Sequence, residues 1–301
     1  MTLNGVLSAI VTPFTPDGEK IDEAALRKLV DQNIADGVDG FVPAGGTGEF
    51  SVLSHQERLK LVDVVVEQTA GRATVLAHTG ATSSREAVEL SKHAERAGAT
   101  AIMLATPYYE QIGFDEAFAY YAAVADATDL PICAYNFPPA TGLHLDVDFT
   151  VRLAREIPQV KYIKDSSANI MQMYTFLSDH RDDINFFNGE DVLILPALAL
   201  KAPGMVMGTA NFLAPALAKL QKASTGGDDL TVLSIWRQIN PLIQVLASGR
   251  YNSGVKAACE LLGLKVGPVR APIPQYSADQ TAALKAVLDT IDPLLLTGAA
   301  R

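Results

Sequence analysis

The sequence predicts a (β/α)8 barrel, and three observations carry that expectation. Short apolar, β-rich runs alternate with longer stretches of helical period, the alternation repeats eight times, and neither a G-x-G-x-x-G after the first strand nor a P-loop motif is present. An open doubly wound sheet, which shares the local pattern, would need a nucleotide loop of that kind at its switch point. Strands this short and apolar must be covered on both faces, so they belong to a parallel sheet joined by right-handed crossovers. A length of 301 residues suits one barrel of about 250 residues with an appendage.

The units follow in order. A strand over Leu7–Thr12 precedes a helix over Asp22–Asp36 that stops at Gly37. Strand Gly40–Pro43 leads to helix Ser54–Thr69, where Ser54 and Glu57 form a capping box. Strand Thr74–His78 leads to helix Ser83–Ala97, with Ser83 and Glu86 as a second box and Gly98 as the stop. Then come Ala101–Leu104 with Phe114–Ala127, and Pro131–Asn136 with Asp146–Glu156. The last three strands, Val160–Lys164, Ile184–Asn188 and Gly204–Met207, are followed by helices from Ile170, from Val192 and from about Pro215. After Ser224-Thr225-Gly226-Gly227 the alternation ceases, and Thr231–Ser248, Tyr251–Leu262 and Ser277–Leu295 read as helices. The expected division is a barrel over residues 1–225 and a three-helix extension over 226–301.

Composition narrows the function. With 24 Lys and Arg against 34 Asp and Glu, the net charge of −10 repels phosphate backbones and anionic membranes on average, so nucleic acid and membrane partners are not expected. A small anion can still be held locally by backbone N–H dipoles. Cys133 lies in an apolar strand and Cys259 in a helix, a pattern that suggests neither a disulfide framework nor a metal cluster. The first residues lack a basic, then apolar, leader, and no run of about 18 apolar residues occurs, so a soluble cytoplasmic protein is expected.

Barrel enzymes place their chemistry at the C-terminal ends of the strands. Lys164 ends the sixth strand, where alternation puts Tyr162 and Lys164 on one face and Ile163 on the other. If that face is inward, the amine sits at the barrel mouth, where desolvation favours a neutral nucleophile suited to carbonyl attack. Position alone equally fits a lysine that is solvated or paired with a carboxylate. Tyr135 ends the neighbouring fifth strand in Tyr135-Asn136-Phe137-Pro138, where a phenol can pass protons, although a core aromatic is the plainer account. After the second strand, Gly45-Gly46-Thr47-Gly48-Glu49-Phe50 can turn backbone N–H groups and a hydroxyl toward a carboxylate, or form a simple tight turn.

These three segments together resemble the dihydrodipicolinate synthase and N-acetylneuraminate lyase family of class I aldolases, over nearly the whole chain. The resemblance implies that Lys164 forms an imine with a 2-oxo acid without any added cofactor, that Tyr135 relays protons, and that Thr47 with the amides of Gly46 and Gly48 binds the carboxylate. It implies that Tyr109 is contributed across a subunit interface of a homotetramer, a dimer of dimers, and that Gly189 and Val206 are pocket walls. Ser166, Glu190, Asp191 and Asn211 are candidates for the distal end of the substrate. Glu190 and Asp191 could equally be solvated carboxylates at a helix start.

Two departures bear on the substrate. Synthases of the family carry an arginine after the Tyr-Asn motif to clamp a second carboxylate, and this chain has Ala140. Members with a tyrosine–hydroxyl–tyrosine relay carry Thr or Ser where this chain has Gly46. Gly-Gly-Thr-Gly-Glu-Phe is similar to keto-deoxy-glucarate dehydratases and Tyr-Asn-Phe-Pro to 2-keto-3-deoxygluconate aldolases. The expected activity is a pyruvate-dependent aldolase cleaving or forming a 2-keto-3-deoxy sugar acid. Its alternatives are dihydrodipicolinate synthesis from pyruvate and aspartate semialdehyde, a sugar acid dehydratase, or a silent 2-oxo-acid-binding regulator. A metal enzyme using His78, His93, His144 and Glu49 is disfavoured, because only His78 ends a strand.

Overall fold

The computed structural model describes residues 2–298. Eight parallel strands, β1 (Gly5–Ser8), β2 (Gly40–Phe41), β3 (Thr74–His78), β4 (Ala101–Ala105), β5 (Ile132–Asn136), β6 (Val160–Asp165), β7 (Asn185–Asn188) and β8 (Gly204–Met207), pair in chain order. β8 returns to β1 in register from Gly5↔Gly204 to Ser8↔Met207, which closes the barrel. Each strand is followed by helix on the outside: α1 (Glu23–Ala35), α2 (His55–Thr69), α3 (Ser84–Ala97), α4 (Phe114–Ala125), the single turn α5 (Pro138–Thr141) with α6 (Val147–Glu156), α7 (Ile170–Asp179), α8 (Ile194–Ala199) and α9 (Ala210–Gly226). Three more, α10 (Asp229–Ala247), α11 (Tyr251–Leu261) and α12 (Ala278–Leu288), form the extension.

The alternation along each strand divides the apolar residues into two cores. Leu7, Val42, Leu76, Met103, Cys133, Tyr162, Phe187 and Val206 fill the barrel, while Val6, Phe41, Val75, Ile102, Ile163 and Phe186 pack between the strands and the helices. Pairing between β5 and β6 is irregular at Ile132/Cys133, where Ile132 meets Val160 and Cys133 meets Tyr162. Lys161 is the extra residue, and it lies exposed while Val160 joins the outer core and Tyr162 the inner one. That phase sets Lys164 facing inward.

Several boundaries differ from expectation. β1 ends at Ser8 rather than Thr12, because the Ile10–Pro13 run is a buried loop whose Val11 N–H donates to Asn211 and whose Thr12 hydroxyl donates to the Gly48 carbonyl. The helix after β8 begins at Ala210, not near Pro215, and bends at Leu213 (φ −109°). Pro215 has no N–H for the Asn211 carbonyl, which accepts from the Asn33 amide instead at 3.2 Å. The expected long last helix stops at Leu288, and Pro293 starts a separate 3-10 turn, Pro293–Leu295. After β7 the chain makes a 3-10 turn, Asp191–Leu193, before α8. Ser54 and Glu57 form the expected capping box, whereas Ser83 caps α3 alone and Glu86 turns to His55 at 3.3 Å.

The extension is tied to the barrel by charge as well as by apolar packing. Lys256 on α11 meets Glu49, just after the Thr47 loop, at 2.6 Å with both side chains buried, and the Arg270 N–H donates to the other Glu49 oxygen at 2.8 Å. Removing one partner of such a pair strands a charge without solvent. Lys256→Met should therefore lower stability by about 3–5 kcal/mol, read as a fall in the urea midpoint, and adding Glu49→Gln should recover part of the loss.

Candidate active site

Lys164 is 6% exposed and Tyr135 7%, and they are register partners on β5 and β6. The Lys164 Nζ lies 4.1 Å from the centre of the Tyr135 ring. Among the described residues it makes no hydrogen bond or ion pair. The adjacent carboxylate, Asp165, is turned away. Its Oδ1 accepts from the Asn136 amide and the Ser167 N–H, each at 2.9 Å, and its Oδ2 accepts from Gln172 at 3.2 Å. Burial pushes Asp165 up from the usual carboxylate range, against those hydrogen bonds. Asn136 also accepts the Leu145 N–H at 2.9 Å, so the second residue of the Tyr-Asn motif organises the loop after β5.

A cavity of about 640 Å³ opens above the amine, lined by Gly46 and Thr47 from the loop after β2, by Ser166, Gly189 and Glu190 beyond β6 and β7, and by Val206 on β8. In the loop, Ala44 and Glu49 are held at left-handed φ of 53° and 61°. The N–H groups of Gly46, Thr47 and Gly48 donate to no acceptor among the described residues. Gly46 and Thr47 bring two of these free donors to the wall of the cavity, an arrangement that suits a carboxylate, whereas Gly48 is buried outside the lining. Gly189 is required by close approach, since a Cβ there would collide with the Ser166 hydroxyl and lie 2.9 Å from the Lys164 Cε. At Gly46 a Cβ would meet nothing within 4 Å, so the position of the hydroxyl expected from the resemblance is open space here rather than filled by another side chain.

Other expected site residues fare differently. Ser166 donates to the Gly189 carbonyl at 2.9 Å, and Glu190 projects into the cavity half-buried. Burial, together with the neighbouring Asp191 charge, pushes Glu190 up to about 7. Asp191 lines the cavity, but its two oxygens accept from the Thr209 and Tyr251 hydroxyls, so it is not a free ligand for substrate. Asn211 is corrected outright. It is buried away from the cavity, and its amide bonds the Ala9 and Gly208 carbonyls at 2.9 and 2.7 Å and the Val11 N–H at 3.0 Å, which joins β1 to the turn after β8. Tyr109 is 86% exposed and stands outside its own chain's cavity.

Sequence reasoning missed Arg250, Tyr251 and Asn252, at the start of α11, which close the cavity from the extension. Tyr251 fixes Asp191, and the Asn252 amide donates to the Gly46 carbonyl at 2.9 Å across 206 residues of sequence. Nothing local in a helix start announces such a role. The histidines weighed as metal ligands have other partners. His78 bonds the Ala44 carbonyl at 2.8 Å, with burial pushing it well below the usual histidine range, while His93 meets Asp63 at 2.7 Å and His144 meets Gln172 at 2.7 Å. No group of three or more His, Cys, Asp or Glu among the described residues is arranged to hold a metal, and no helix there is long and apolar enough to cross a membrane.

A buried amine that makes no ion pair among the described residues, at the mouth of a closed (β/α)8 barrel, is suited to carbonyl chemistry, and the class of protein is a barrel lyase. The chain belongs to the Dihydrodipicolinate synthetase family, which matches residues 2–291 and whose members form a lysine Schiff base with pyruvate and need no added cofactor. It is similar to the 4-hydroxy-tetrahydrodipicolinate synthase of Methanopyrus kandleri, 35% identical over 283 residues that make up 94% of each chain. The enzyme of that name from Listeria innocua is 34% identical over 290 residues, 96% of this chain and 99% of that one. Among solved structures, the chloride-inhibited dihydrodipicolinate synthase of Acinetobacter baumannii, complexed with pyruvate, superposes with a TM-score of 0.92 at 31% identity, covering 96% of this chain and 99% of the other. That of Aquifex aeolicus gives 0.91 at 30% identity, covering 95% and 97%.

Because Glu190 titrates at about 7 in the folded chain against an ordinary 4.5, the native state binds more protons than the unfolded chain between those values, and stability falls as pH rises across them. Urea midpoints compared with those of Glu190→Gln from pH 4.5 to pH 7 should show the wild type losing ground steadily, with the difference levelling off above that window.

Proposed function

We propose that this protein is a pyruvate-dependent aldolase that cleaves or forms a 2-keto-3-deoxy sugar acid through an imine on Lys164. The observation that carries the reading is the Lys164 amine itself, buried and unpaired 4.1 Å from the Tyr135 ring, in a cavity walled by the free amides of the Thr47 loop. With the substrate carboxylate on those amides and the Thr47 hydroxyl, the keto carbon faces the amine. The nitrogen adds to that carbon, the former carbonyl oxygen leaves as water after protonation, and Tyr135 moves the protons. In the cleavage direction the C4 hydroxyl gives up its proton, the C3–C4 electron pair passes into the imine, and an aldehyde departs. The resulting enamine is protonated at C3, and water releases pyruvate and the free amine. A hydro-lyase would use the same imine, losing a C3 proton and a hydroxyl instead.

Ala140, exposed on α5 and outside the cavity lining, supplies no guanidinium for the semialdehyde carboxylate, while Glu190 and Ser166 offer hydroxyl partners; both features support a sugar acid. The names of the relatives favour a second reading, condensation of pyruvate with aspartate semialdehyde. Turnover of that pair in preference to sugar acids would establish it, and absence of any turnover with a reactive lysine would favour a regulatory 2-oxo-acid binder. We take the working unit as a homotetramer, a dimer of dimers, in which the exposed Tyr109 completes a neighbour's site. Two free, buried cysteines suit a reducing cytoplasm.

Incubation with pyruvate and borohydride should add the mass of a reduced pyruvyl group to the peptide bearing Lys164. Lys164→Ala should abolish both the adduct and turnover. Tyr135→Phe should still trap pyruvate yet lower kcat by about 10²–10⁴-fold. Labelling at another lysine would refute the assignment.

A further inference from the structure

The cavity that holds Lys164 is also lined by an arginine. Arg250, the residue before α11, borders it from the extension, and among the described residues Lys164 and Arg250 are the only Lys or Arg residues in its lining. The Arg250 guanidinium makes no ion pair or hydrogen bond among the described residues. Arg270, by contrast, spends its guanidinium on Glu57 and on the carbonyls of Gly18, Glu19 and Val52. The backbone that carries Arg250 is pinned, because the next two side chains are committed to Asp191 and to the Gly46 carbonyl. Neither carboxylate of the cavity claims the guanidinium. Asp191 has both oxygens on hydroxyls, and Glu190, pushed up to about 7 by burial and by Asp191, carries less than a full charge near neutral pH and makes no ion pair with Arg250 among the described residues.

We infer that Arg250 reads a second carboxylate at the end of the substrate remote from Lys164, so that the preferred 2-keto-3-deoxy acid is a diacid. The inference rests on the imine reading above. Lys164 is used up on the keto carbon and the Thr47 loop on the first carboxylate, which leaves Arg250, whose guanidinium has no partner among the described residues, as the lining residue matched to another carboxylate. Hydroxyls between the two ends fall to Glu190 and Ser166. Arg250 is exposed at the mouth, so water competes for it and the discrimination it gives is about tenfold rather than absolute.

The test is reductive trapping at Lys164, followed by peptide mass against concentration, with 2-keto-3-deoxygluconate and 2-keto-3-deoxyglucarate, which differ only in the terminal group. Pyruvate, which has no distal end, reports in each protein whether Lys164 is reactive. Wild type should reach half-labelling at about tenfold lower concentration of the diacid, Arg250→Ala should lose that preference, and Arg250→Lys should keep part of it. Equal labelling by the two sugar acids in wild type, labelling by pyruvate but by neither sugar acid, or a preference that survives in Arg250→Ala would each overturn the inference. Failure of pyruvate to label wild-type Lys164 would instead overturn the imine reading on which it stands.

Discussion

A buried amine with no hydrogen bond or ion pair among the described residues is the constraint around which the barrel mouth is organised. A buried lysine ordinarily recovers its desolvation cost by pairing with a carboxylate, and such a pair would hold the nitrogen away from an incoming carbonyl carbon. Three carboxylates, Asp165, Glu190 and Asp191, lie around the strand ends near Lys164, and two of them are held by hydrogen bonds. Asp165 is held by Asn136, Ser167 and Gln172, and Asp191 by Thr209 and Tyr251. Glu190 is raised toward neutrality by burial and by Asp191. The polar side chains around the site thus act largely on one another, and the amine lies over the face of Tyr135.

This arrangement explains why the extension belongs to the active site rather than merely to the fold. Tyr251 and Asn252 reach from α11 to Asp191 and Gly46, while Lys256, one turn further along, neutralises Glu49 at the other end of the Thr47 loop. The loop that offers its amides to the cavity is therefore held at both ends by one helix. Displacing α11 would free the Asp191 carboxylate and relax the loop together, so binding and reactivity are coupled through a rigid element.

The barrel was legible in the sequence because its signals are local and repeated: period-two strands, capped helices and a Lys–Tyr pair on neighbouring strand ends. Alternation put Tyr162 and Lys164 on one face, but the irregular residue Lys161 that turns that face inward did not show. Errors arose where tertiary contacts overrode local signals. The Ile10–Pro13 run was apolar because it is buried, not because it is strand. Asn211 had the chemistry of a ligand, but its carboxamide stitches β1 to the turn after β8. Arg250, Tyr251 and Asn252 left no trace, since a helix start carries no mark of a barrel mouth some 200 residues earlier in the chain.

The account stands on covalent capture at one atom. A crystal structure of the protein soaked with pyruvate measures that directly. Continuous density from the Lys164 Nζ to the pyruvate C2, with the carboxylate against the amides of Gly46, Thr47 and Gly48, is the predicted result. Pyruvate bound without a bond to Lys164, or bound away from the Thr47 loop, would contradict it.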